Sequence, residues 1–287
     1  MTVRELTRGY GLIEGPVWDP DRGLIFSDVL FGGIFCLTPK GEVTTLFEHR
    51  RGIGGMALHS AGGLIVSGRN IAYKGFDQGP TLTLLDRDES NGNVGYNDLT
   101  VDDLGRIYAG SLGASPVFAD GREPAAGDLY LIDLDGSARV VAQDIRLTNG
   151  LGFSADGSLL YHSDSTRRNV YCYDVHSDGG LGEKRVFAHL EQGAPDGLVV
   201  AEDGSVWVAL AGGHGVAVIA SGGETLEHIQ IPDPMCTSVC FGGTDLRDLY
   251  IVSGSGEQDS DRAGAVYHYR TEVAGLPVAA ANVALPT

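Results

Sequence analysis

Basic residues are scarce in this chain: Lys and Arg number 20 against 38 Asp and Glu, a formal charge of -18. Gripping nucleic-acid phosphate needs the opposite balance, so polyanion partners are excluded, and anionic membrane surfaces with them. No stretch of about eighteen apolar residues is present to cross a bilayer, and the opening MTVRELTRGYGLIEG lacks the apolar core of a signal peptide. Cysteine is limited to Cys36, Cys172, Cys236 and Cys240, none in C-x-x-C spacing. That excludes a zinc knuckle or redox pair and reads as the buried thiols of a cytoplasmic protein. Also missing are a G-x-S-x-G elbow, a phosphate loop and a dinucleotide fingerprint, which removes serine-esterase and nucleotide chemistry. No long segment carries a 3.6-residue apolar period, so helix is not expected.

Glycine, by contrast, is abundant, 43 of 287 residues, about twice the usual frequency. It is spread evenly, as many tight turns between short strands require. A phrase of apolar strand, Asp/Gly/Pro turn and second strand recurs as Pro16 to Val29, Met56 to Gly68, Leu99 to Ser111, Leu151 to Ser165, Leu198 to Leu210 and Val239 to Ser253. Two strands joined by such a turn are a hairpin signal. Further alternating text follows most copies, for example DLYLIDLDGSARVVA and GVAVIASGGETLEHIQI. Each unit then holds four strands in about 48 residues, the length of a propeller blade. The expectation is an all-β fold, a six-bladed β-propeller with four antiparallel strands per blade, forming one domain over residues 1-287. Trp18 and Trp207 are expected to pack between blades, and Asp28 and Asp164 to anchor turns.

Aligning the copies exposes one position just ahead of each first strand: Glu14, Gly54, Asn97, Asn149, Asp196 and Thr237. The first strand of a blade lines the central channel, so these positions converge at one mouth. Four of them offer carboxylate or amide oxygen, with Gly54 as an open gap. Like charges gathered in a narrow channel raise each other's pKa or need a cation. An all-oxygen set suits one divalent cation, Ca²⁺ first and Zn²⁺, Mn²⁺ or Mg²⁺ next.

The stretches EGPVWDP, NDLTVDDLGRIYAGS, LTNGLGFSADG, PDGLVVAEDGSVWVA and CFGGTDLRDLYIVS together resemble the SMP-30/gluconolactonase/luciferin-regenerating-enzyme family. The resemblance implies a six-bladed propeller with one catalytic divalent cation and, in many members, lactone hydrolysis. Carried over by motif, it implies Glu14, Asn149 and Asp196 as metal ligands, Asp196 also as general base, and Asn97 as a substrate contact. The implied partner is a small-molecule lactone.

Two departures bear on the substrate. Gly95 stands where sugar lactonases often carry Arg, and an acidic residue used for sugar hydroxyls is replaced by Ser115 or its neighbours. Arg69 and Tyr73, with Phe76, are expected as a lid over the mouth, since specificity resides in such loops. His162 and His214 are left out of the catalytic set. A Ca²⁺-dependent phosphotriesterase-like hydrolase and a non-enzymatic binding scaffold are the rival readings.

Overall fold

The computed structural model describes residues 2–48, 50–115, 125–255 and 262–286. Among them the only helical element is one 3-10 turn, Glu89–Asn91. After β1 (Arg4–Tyr10) the strands come in fours. The first sheet is β2 (Ile13–Asp19), β3 (Gly23–Asp28), β4 (Ile34–Leu37) and β5 (Val43–Phe47), paired in that order. The second is β6 (Met56–His59), β7 (Gly63–Val66), β8 (Ile71–Gly75) and β9 (Leu82–Leu85). The third is β10 (Gly95–Val101), β11 (Ile107–Leu112), β12 (Gly127–Ile132) and β13 (Ala138–Ile145). The fourth is β14 (Thr148–Phe153), β15 (Leu159–Asp164), β16 (Asn169–Asp174) and β17 (Arg185–His189).

The remaining sheet has eight strands. One half is β18 (Ala194–Val200), β19 (Val206–Ala211), β20 (Gly215–Ile219) and β21 (Thr225–Gln230). The other is β22 (Met235–Gly242), β23 (Asp248–Gly254) and β24 (Gly264–Arg270), completed by β1. A single paired position, Ala211 with Met235, joins the halves. Every repeated phrase falls on the first hairpin of its group. The leading strands touch in a closed cycle, β2 beside β6, then β10, β14, β18, β22 and β2 again. The result is an all-β, propeller-like arrangement.

Apolar side chains fill the seams between neighbouring sheets, for instance Ile25 and Ile34 against Leu64 and Val66. Burying each such side chain contributes about 1.5–3 kcal/mol, which is what holds sheets edge-on around an axis. Trp18 stacks on Tyr250 at 5.6 Å and Trp207 meets Phe241 edge-on at 5.4 Å, both across seams. The four cysteines are free and buried. Asp28 and Asp164 anchor turns: Asp28 accepts from the amides of Gly11, Leu30 and Phe31, and Asp164 from those of Arg146, Leu147 and Arg167.

The last copy departs from expectation. The text after β24 does not return as a fourth strand; β1 takes that place, with Thr7 opposite Val266. Pro277 has no amide to donate, and a side chain at Gly275 would strike the Phe241 ring at 2.1 Å. The tail therefore leaves the sheet and crosses the far end of the channel. Its amides bond Leu246 and Val200 on one side (Gly275, Leu276), then Leu58, Gly105 and Leu134 on the other (Ala281, Asn282, Ala284). Leu276, Pro277 and Val278 floor an axial cavity of about 180 Å³ walled by the leading strands, from Pro16 on β2 to Val239 on β22. Ala281 and Val283 are buried in the seam between the second and third sheets. Ending the chain after Val273 is expected to lower the melting temperature by at least roughly 5 °C, since each kcal/mol is worth about 2–4 °C in a chain this size. An unchanged melting curve would show that the tail only rests on the surface.

Candidate functional site

The leading strands do not enter their ladders smoothly. The pairing slips between Glu14 and Val17, Tyr96 and Leu99, Thr148 and Leu151, Pro195 and Leu198, and Cys236 and Ser238. Such a bulge sets two residues against one and re-aims side chains, a common device beside functional sites. Asn97, Asn149 and Asp196 sit in the unpaired places. Glu14 does not: it stays paired with Ser27, one place ahead of its slip. β6 begins only at Met56, so Gly54 and Gly55 precede it.

These residues form one connected group. Asn97 Nδ2 donates to Asn149 Oδ1 at 2.6 Å and to Thr148 O at 2.9 Å. Asn149 Nδ2 donates to Ser165 Oγ at 2.7 Å, which donates to Pro195 O at 2.6 Å, tying the fourth sheet to the fifth. Both amide hydrogens of Asn97 are thus used and its Oδ1 is the free atom. It faces the gap at Gly54, where a Cβ would lie 2.3 Å away. Thr237, the sixth aligned position, holds the ring instead, its hydroxyl donating to Ile13 O at 2.6 Å.

The charges are the most telling feature. Burial, then the nearby Asp196 and Asp98, push the Glu14 carboxyl well above the usual carboxylate range. Burial, then Asp98, do the same to Asp196. Burial carries Asp98 to about 7, although its Oδ1 accepts the Leu99 amide at 2.8 Å. Asp196 Oδ1 is buried with no hydrogen-bond partner. An orphaned carboxylate oxygen among mutually repelling acids costs free energy that a cation would offset. Among the described residues no three His, Cys, Asp or Glu side chains gather tightly enough to hold a metal alone; here amide oxygens would have to complete the set. Asp98 escaped the sequence alignment because only one position per copy was compared. Its signal is a bulge filled by two polar residues rather than one polar residue and a glycine.

Other expected site residues divide. Arg69 is exposed in the β7–β8 turn at the mouth, its Cα 3.5 Å from where a Cβ on Gly95 would stand. Tyr73 is not brought there. β8 runs away from the mouth, and the Tyr73 hydroxyl ends 3.4 Å from Gly62 O at the opposite end, its ring edge-on to His59. Phe76 also lies at that end, beneath the Arg22 guanidinium. Gly95 has φ +153, and a side chain there would meet Gly68 O at 2.7 Å, so an arginine has no room at this position. Ser115 closes a described stretch, while its neighbours 116–124 lie outside the described residues. His162 is fully buried, its Nε2 2.6 Å from Thr148 Oγ1, and burial lowers it to about 3, so it stays neutral. His214 is an exposed turn residue.

A ring of bulged strands presenting acids and amides at one mouth defines a propeller-type site. A family model described as SMP-30/Gluconolactonase/LRE-like region matches residues 12–255, and the chain belongs to that family. It is 33% identical over 274 residues to a 6-deoxy-6-sulfogluconolactonase of Pseudomonas putida, covering 91% of this chain and 92% of that one. It is 28% identical over 306 residues to a pentonolactonase of Haloferax volcanii, covering 99% and 100%. The solved structure of a luciferin-regenerating enzyme superposes with a TM-score of 0.87 at 25% identity, over 98% of this chain and 99% of that one.

Proposed function

We propose that the chain is a single-domain, six-bladed propeller that opens lactone rings with one divalent cation, Ca²⁺ first, held by Glu14, Asn149 and Asp196. The observation that carries this is the orphaned Asp196 oxygen beside the Glu14 and Asp98 carboxyls. The lactonase relatives support the reaction class. When bound, the cation supplies Lewis acidity toward an ester carbonyl and a nearby water. Asp196 takes the proton of the attacking water as its oxygen bonds to the carbonyl carbon. That proton goes on to the ring oxygen as the ring C–O bond breaks, leaving a hydroxy acid. Asn97 Oδ1, free and facing the Gly54 gap, accepts a substrate hydroxyl, while the Asn97–Asn149–Ser165 chain fixes both amides.

A panel of aldonolactones, aliphatic lactones and phosphotriesters, assayed with Ca²⁺ and after chelation, tests the reading. Lactone turnover that is lost on chelation and restored by Ca²⁺ is expected; turnover of the triesters alone would overturn it. A methyl group at position 54 separates substrate handling from cation binding. Gly54→Ala pushes Asn97 Oδ1 aside and is expected to raise KM roughly tenfold, about 1.4 kcal/mol of binding, with the cation-dependent gain in melting temperature preserved. Unaltered KM would remove Asn97 from the substrate site.

A further inference from the structure

Arginines are distributed unevenly between the two ends of this acidic molecule. At the end crossed by the tail, Arg22, Arg106, Arg139, Arg185, Arg247 and Arg270 each meet a carboxylate. Among the described residues Arg4 alone there does not. At the mouth Arg8, Arg87 and Arg167 are paired as well, but Arg50, Arg51, Arg69, Arg146, Arg168 and Arg262 have no carboxylate partner among the described residues; Arg262 lies over the Phe31 ring instead. All of these but Arg50 are exposed. In a chain of net charge -18, guanidinium groups without a carboxylate partner concentrate at one end.

The placement of Arg51, Arg69 and Arg146 follows the site. Arg51 lies three residues before Gly54, and Arg146 three before Asn149, so they hold equivalent positions on the loops entering β6 and β14. Between those loops stands β10 with Asn97. Arg69 abuts the backbone of Gly95 on that same strand. Backbone contacts bind this part of the rim together: a Cβ on Gly68 would lie 2.9 Å from Gly52 O, and Gly68 pairs with Tyr96. Neighbouring Arg50 is already engaged with Asn70 at 3.2 Å, which leaves Arg51 as the uncommitted member of that pair.

We infer that the mouth selects lactones bearing a fixed anionic group away from the ring carbonyl, such as a phosphate, sulfonate or carboxylate, with Arg51, Arg69 and Arg146 as the specificity-determining residues. This rests on the ring-opening reading and narrows its substrate class. Guanidinium matches such oxyanions in a planar, two-pronged way. The surrounding negative field repels anions at long range, so the attraction is local and screened by salt. Gly95 leaves the neighbouring strand without a cation of its own, and the three rim arginines supply charge from both sides of it.

Two arms test the inference. Turnover of glucono-1,5-lactone is compared with that of its 6-phosphate, and calorimetric binding of gluconate with that of 6-phosphogluconate, all with Ca²⁺ present. The phosphorylated member of each pair is expected to be favoured about tenfold or more at low salt, shrinking as NaCl approaches 0.5 M. The preference should fall severalfold in Arg69→Gln and vanish in the triple Arg51→Gln, Arg69→Gln, Arg146→Gln protein. Arg4→Gln, the unpaired arginine at the far end, should leave it intact and controls for net charge. Equal binding of the two acids, or a preference that survives the triple exchange, overturns the inference whatever happens to turnover. If neither lactone is hydrolysed yet the binding preference behaves as described, the ring-opening reading fails and this one stands.

Discussion

Asp196→Asn is expected to lower kcat by about 10²–10⁴-fold at saturating cation, the range that a positioned general base contributes. The exchange keeps the shape of the side chain and an oxygen at the bulge between Pro195 and Leu198, so the strand geometry survives. An amide cannot take the water's proton. The cation should still bind, more weakly, because Glu14 and Asn149 remain. A second readout separates this from simple misfolding. Without cation the variant should melt higher than the parent, because it removes one of three buried carboxyls that repel one another. A variant that turns over lactone at near the parent rate would move the base elsewhere, Asp98 being another buried carboxyl that acts on Asp196.

The same three carboxyls set an unusual pH dependence on the chelated protein. Each has a folded-state pKa above its unfolded value: Asp98 at about 7, Glu14 and Asp196 raised well above the carboxylate range. The folded state then holds more protons than the unfolded chain, so stability falls as pH rises through the folded values. Two imidazoles oppose this lower down. Burial lowers His162 to about 3 and also lowers His59, so below about 6.5 the unfolded chain takes up protons that the folded one refuses. The chelated protein is therefore expected to lose melting temperature between about pH 6.5 and 8, where the imidazoles no longer contribute. Millimolar Ca²⁺ should restore it, and by more at pH 8 than at pH 6.5. At 100 times its dissociation constant a ligand adds about 2.7 kcal/mol. Melting curves that rise toward pH 8 under chelation, or ignore Ca²⁺ throughout, would remove the cation from this site.

The hairpins were legible in the sequence because their signal is local. An Asp-Gly or Gly-Gly turn between β-branched runs is written in a dozen residues, and six copies reinforce one another. Asp28 and Asp164 were readable for the same reason, since each caps the turn it sits in. What escaped depends on distant partners. RELTRGY carries no mark that it will pair with Gly264–Arg270. The tail VAGLPV alternates like a strand, and only Phe241 and the axial cavity say otherwise. Tyr73 was misplaced because strand direction decides which end a side chain reaches. The constraint on Gly95 came from the neighbouring sheet's Gly68 carbonyl. Which arginines lack a carboxylate partner depends equally on contacts between distant segments, as with Arg247 and Glu202.

The strand Arg4–Tyr10 has a consequence for biogenesis. It is translated long before its hydrogen-bonding partner, Gly264–Arg270. Until then both its backbone edges are unsatisfied, and β24's acceptor row does not exist. Nascent chains are thus held open until that partner is made, and closure demands a contact between segments far apart in sequence, which slows folding and invites pairing with another chain's edge. Fusions or tags that stiffen the first ten residues should burden yield more than those attached beyond the tail.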